Sequence, residues 1–165
     1  MLNTSGRGAK SLPLNFIKGV IFMAAEYSFS PAQTVAENAS VLFLNGNRAC
    51  NKGYITHRTD SGIFRLKGAT NSCKAIYRVT FNGNIAVTTG GTVGAISVAL
   101  QEDGETVNNA VATVTPAAVE NFFNVSLDTF VTIPCGCCVT VSVKNISTGT
   151  SIDVSNANII FERVA

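Results

Sequence analysis

Residues 77–84, Tyr77-Arg78-Val79-Thr80-Phe81-Asn82-Gly83-Asn84, alternate apolar and polar side chains and then reach a cluster of turn formers. The same alternation returns at Ile96, Val98 and Leu100, and again at Val139, Val141 and Val143. A period of two places successive side chains on opposite faces, the pattern of half-buried antiparallel strands. Working outward, Asn82-Gly83-Asn84 reads as a turn, and Glu102-Asp103-Gly104-Glu105 as a second.

Further strands are expected over 26–35 (an edge strand, since it holds Pro31), 41–44, 54–57, 63–66, 73–81, 85–87, 96–101 and 111–115. Residues 121–127 and 130–133 read as two strands split by Asp128, and 139–146 and 152–164 complete the set. Asn45-Gly46-Asn47 and Thr59-Asp60-Ser61-Gly62 read as turns, and Ala117-Ala118-Val119-Glu120 as one helical turn. About ten short strands with closely spaced turns predict an all-β antiparallel sandwich rather than a βαβ fold.

The chain has 165 residues, enough for one domain that buries roughly two-thirds of its unfolded surface. Charged residues make up only 13% and mean hydropathy is +0.28. So little charge predicts uncharged surface that an oligomer would cover. A net charge of +2 without basic runs argues against nucleic acid as a partner. The apolar stretch 16–25 is broken by Lys18 and Gly19, too short for a membrane span and ill-formed as a signal peptide.

Residues 1–22 lack alternation and carry Arg7, Lys10, Lys18 and Pro13. They read as a flexible or docking arm, or as translated leader with Met23 the true start, because Lys18-Gly19-Val20 can be encoded by a ribosome-binding sequence. A packed helix is the least compatible reading. The folded domain is expected over 23–165.

Candidate chemistry is sparse. His57, the single histidine, reads as an exposed or hydrogen-bonded strand residue, with a Cys–His pair as the alternative. Gly90-Gly91-Thr92-Val93-Gly94 lacks the lysine of a phosphate loop, and Ser61-Gly62 lacks a nucleophile elbow. Neither catalytic residues, metal ligands nor a cofactor site are expected. Five cysteines, an odd number, favour reduced thiols; a Cys50–Cys73 disulfide is the alternative. Cys135-Gly136-Cys137-Cys138 is the most unusual local run, and its simplest reading is small apolar residues at a strand start rather than part of a zinc site. Sequons at Asn3, Asn38, Asn124 and Asn145 carry no weight without a secretory route.

The runs 77–85, 94–100, 123–126 (Phe123-Asn124-Val125-Ser126), 138–145 and 156–160 (Asn156-Ala157-Asn158-Ile159-Ile160) together resemble the tumour-necrosis-factor/C1q-like jelly roll. The chain is similar to small trimeric domains of phage heads and fibres and to the C-terminal domain of collagen-like spore-surface glycoproteins. Residues 50–62 also look like proteins encoded by phages of gut bacteria. The resemblance, over 26–165, implies a compact homotrimer with the C-terminal strand near its axis. The absence of a Gly-x-y segment favours a decoration knob over a stalked fibre. The role expected from it is a structural virion protein, made in a bacterial cytoplasm, that binds a major capsid protein or another virion component. A receptor- or glycan-binding module is the alternative, and a hydrolase is disfavoured by the single histidine. Tyr77, Val79, Phe81, Ile160 and Phe161 are candidates for the trimer interface. The period leaves the face open, Tyr77 or Ile76, Phe161 or Ile160, because a shift of one residue reverses it.

Overall fold

The computed structural model describes residues 23–44, 48–49, 53–68 and 74–165. Their strands are β1 (Met23–Phe29), β2 (Gln33–Val35), β3 (Arg48–Ala49), β4 (Ile55–His57), β5 (Ile63–Lys67), β6 (Lys74–Val87), β7 (Ile96–Glu102), β8 (Glu105–Val114), β9 (Phe123–Pro134), β10 (Cys138–Asn145) and β11 (Ile152–Arg163). One sheet has the order β3-β1-β11-β6-β9, with β2 also beside β11, and the other the order β4-β5-β10-β7-β8. Neighbours run antiparallel throughout. The chain is an all-β antiparallel sandwich, as the alternation predicts, and a jelly roll, as the resemblance implies.

The core lies between the sheets. Tyr77, Val79, Phe81 and Ile85 of β6, Ile159 and Phe161 of β11, and Leu127, Val131 and Ile133 of β9 face Phe64, Leu66, Val98, Leu100, Val141 and Val143. Aromatic rings tie the two layers together at the centre. Phe64 lies 4.8 Å from Phe161 and 5.3 Å from Phe43, and Phe43 meets Phe81 edge-on at 6.5 Å.

Asn82-Gly83-Asn84 is not a turn. Strand β6 continues through it, paired with β9 at Gly83↔Val125 and with β11 at Asn82↔Asn158. The glycine serves packing instead: a Cβ there would sit 2.9 Å from the Phe81 ring, which lies across it. A bulge between Ser155 and Asn158 adjusts β11 to this stretch, with Asn156 left-handed at φ 51°. Nor does Asp128 split its strand, because β9 is continuous and the carboxylate lies on the outer face, paired with Arg78. At 117–120 the chain makes a bend and turn in place of the expected helical turn.

The expected strand at 41–44 is a link between the sheets. Val41 N–H donates to Val143 of β10, Phe43 N–H to Ser61, and Leu44 N–H to Ser28 of β1. Gln33 supplies the missing ladder for Leu42, accepting from its N–H at 2.8 Å and donating to its carbonyl at 3.0 Å. Val41 and Phe43 are nonetheless fully buried. The 26–35 segment is two strands broken at Ser30-Pro31, and β1 lies inside its sheet between β11 and β3 rather than at an edge. The turn expected at Asn45-Gly46-Asn47 falls outside the described residues, as do 1–22, Cys50 and Cys73.

The hairpins at 59–62 and 102–105 form as expected, the second with Asp103 and Gly104 both left-handed at φ 49° and 90°. Gly62 carries a further constraint. A Cβ at this position would lie 2.6 Å from the carbonyl oxygen of Val41, a backbone atom of the linking segment. Gly62→Ala should therefore lower stability by about 1–3 kcal/mol in denaturant titration. Gly94→Ala, with open space around its Cβ, should stay within about 0.5 kcal/mol of the parent.

Candidate functional site on the six-stranded sheet

The outer face of β1, β11, β6 and β9 is set by the parity that fills the core. Because Tyr77, Val79 and Phe81 point inward, Ile76, Arg78, Thr80, Asn82 and Asn84 point outward. Register then places the neighbours. Arg78 lies between Phe130 and Glu162, Thr80 between Asp128 and Ile160, and Ile160 is followed by Glu26. Ile76 is opposite Thr132.

Phe130 is 63% exposed, the most exposed large apolar side chain among the described residues. The half-buried Ile76 lies diagonal to it on β6 and the half-buried Ile160 two strands away across Thr80, an apolar patch interrupted by polar side chains. Across the patch runs a diagonal ion pair, in which Arg78 Nε donates to both Asp128 oxygens at 3.1 and 3.0 Å and Nη2 adds a third bond. This fork satisfies both charges without neighbouring chains. Toward the other end the face turns amide-rich: Asn82, Asn84, Asn124 and Asn158 share it with Ser126. Asn124 donates to the Asn84 amide oxygen at 3.1 Å, and Asn158 donates to Glu26.

Four of the five residues expected at an interface are in the core. Tyr77, Val79, Phe81 and Phe161 are fully buried within the single chain, so they are closed to a second one. Burial pushes the Tyr77 phenol above its ordinary value, partly offset by Arg163, and its hydroxyl donates to the Lys67 carbonyl at 2.9 Å. Ile160 alone lies on the outer face. Phe130 was not among the candidates, although charge marks its face: Arg78 and Asp128 are unpaired with any core partner and share their parity with Ile76 and Phe130. The outer face of the other sheet presents the polar Thr140 and Lys144 along β10, with Ser142 between them buried.

His57 is a hydrogen-bonded strand residue, with Nε2 2.9 Å from the Ser61 carbonyl and the ring stacked on Phe64 at 4.4 Å. The cysteine run does not pack as small apolar residues. Cys135 and Cys137 are exposed in a tight turn whose Gly136 is left-handed at φ 70°, and Cys138 is partly exposed at the start of β10. Among the described residues no group of His, Cys, Asp and Glu side chains is arranged to hold a metal ion. Among them too, no helix is long and apolar enough to cross a membrane.

The Arg78 guanidinium holds the Asp128 carboxyl below the ordinary aspartate value of 3.8, through hydrogen bonds first and charge second. A lowered folded-state value means stabilisation that is complete above the unfolded value and lost as pH falls through the folded one. The stability difference between the parent and Asp128→Asn should therefore be constant from pH 7 to about pH 5 and shrink below pH 4. Denaturant midpoints measured across that range check it.

No protein-family model matches the sequence, and no curated protein is similar to it. Solved structures are similar in fold. Eiger TNF from S. frugiperda superposes with a TM-score of 0.63 and 13% identity, covering 87% of this chain and 93% of that one. Murine APRIL at pH 5.0 gives 0.61 and 11%, covering 87% and 99%. PRD1 vertex protein P5 gives 0.49 and 14%, covering 87% and 97%, a score too low to carry weight. At these identities the likeness establishes architecture: the chain has the jelly-roll fold of the tumour-necrosis-factor type.

Proposed function

We propose that this protein is a structural virion module, a homotrimer that decorates a capsid or forms a short head fibre and acts by binding rather than catalysis. The observation that carries the assembly claim is the patch of Phe130, Ile76 and Ile160 on the outer face of the six-stranded sheet. Burying Phe130 against a second copy would contribute on the order of 1.5–3 kcal/mol per protomer. Arg78 and Asp128 enter such a contact already paired, which limits the cost of removing them from water. The resemblance of the strand sequences to trimeric phage-head domains supports both the threefold state and the virion role. It also supports a major capsid protein or another virion component as the partner.

Sedimentation equilibrium should give a trimer at micromolar concentration, and Phe130→Asp should shift it to monomer while the far-ultraviolet spectrum is unchanged. A parent protein that is monomeric there overturns the assembly claim. Mass spectrometry of purified phage particles should find the chain at a stoichiometry tied to the capsid; its absence from particles overturns the virion role.

The amide row of Asn82, Asn84, Asn124 and Asn158 favours one second reading, a glycan-binding module, since amides supply paired donors and acceptors. Binding on a glycan array that disappears in Asn84→Ala would replace decoration with recognition as the main role.

A further inference from the structure

We propose that the cleft beside Cys138 is a modification site at which this thiol exchanges with small anionic disulfides, of the class of an acidic peptide disulfide. The cleft, of ≈ 200 Å³, lies at the end of the β5–β10 ladder and is lined by Arg65, Lys67, Gly68, Gly136, Cys137 and Cys138. Two of these side chains are cations, two are thiols and none is acidic. Lys67 is the register partner of Cys138, and Arg65 Nη2 donates to the Cys138 sulfur at 2.8 Å. The nearby carboxylate of Asp103 is engaged elsewhere, accepting from the N–H and hydroxyl of Thr140 at 2.7 and 3.0 Å.

Among the described residues, local backbone chemistry leaves the place open. Gly136, left-handed in the turn, and Gly68, whose N–H donates to the Cys137 carbonyl at 3.2 Å, put no side chain over the sulfurs. A charged reagent therefore meets a shallow pocket that carries two cations beside the thiols, and attraction raises its local concentration. The anionic groups of the reagent would sit on Arg65 and Lys67 while its disulfide reaches Cys138.

The reaction is exchange. The Cys138 sulfur attacks one sulfur of the disulfide, a new S–S bond forms as the old one breaks, and the departing sulfur takes the electron pair. The Cys138 proton passes to water. The reagent is the oxidant and is itself half reduced, leaving one free thiol and one mixed disulfide on the protein. This site belongs to the five-stranded sheet and is independent of the assembly face.

The test compares glutathione disulfide, which is anionic, with uncharged 2-hydroxyethyl disulfide on the whole protein, using peptide mapping to assign the modified cysteine. After correction for the rates of both reagents with free cysteine, Cys138 should favour the anionic one by about tenfold. That preference should fall in 0.5 M salt on the parent protein and in Arg65→Gln. Equal corrected rates, a preference insensitive to salt, or an adduct on another cysteine in place of Cys138 would overturn the proposal. The salt comparison keeps the outcome decisive even if Arg65→Gln folds poorly.

Discussion

Strand β6 is hydrogen-bonded on both edges, to β11 along one and to β9 along the other, over nearly all of its length. Its parity therefore governs three strands at once. With Tyr77, Val79 and Phe81 turned inward, register obliges Phe161 and Ile159 on one side and Leu127 and Val131 on the other to follow. Slipping β6 by one residue would bury Arg78 and expose the rings of Tyr77 and Phe81, a reversal that no local adjustment could offset. The core and the outer face are thus two consequences of a single register.

That dependence explains what was legible in the sequence. Alternation shows that a strand exists, and the runs around Val98, Val141 and Ile159 locate theirs well. It does not by itself choose a face when both are apolar, and β6 offers Ile76 against Tyr77 just as β11 offers Ile160 against Phe161. Ring volume decides, because only the large side chains fill the space between the sheets around Phe64 and Phe43. The charges at Arg78 and Asp128 carried the missing information, since each lies on the parity that must stay outside.

The misread punctuation has a physical cause in each case. Asn82-Gly83-Asn84 has turn composition, yet Gly83 is required by the Phe81 ring lying across it, and the asparagines face outward where amides are well solvated or paired. Asp128 resembles a strand breaker until its cross-strand partner is known. The opposite error occurs at Val41–Leu44, whose apolar run suits a strand but whose backbone bonds go to both sheets in turn. Asp128 and Val41–Leu44 answer to partners distant in sequence, of which a local window contains no record, whereas Gly83 answers to a ring two residues away that lies across it only because the strand continues.

The outer face also bears on what kind of contact it can make. A symmetric twofold dimer would place the same patch on both sides of the contact. A threefold ring instead joins two different surfaces of each protomer, so the apolar end at Phe130 need not meet the amide end or itself. The face is divided in this way, apolar and ion-paired at one end and amide-rich at the other. That division is compatible with the proposed heterologous contact at the Phe130 end, with the asparagine row outside it.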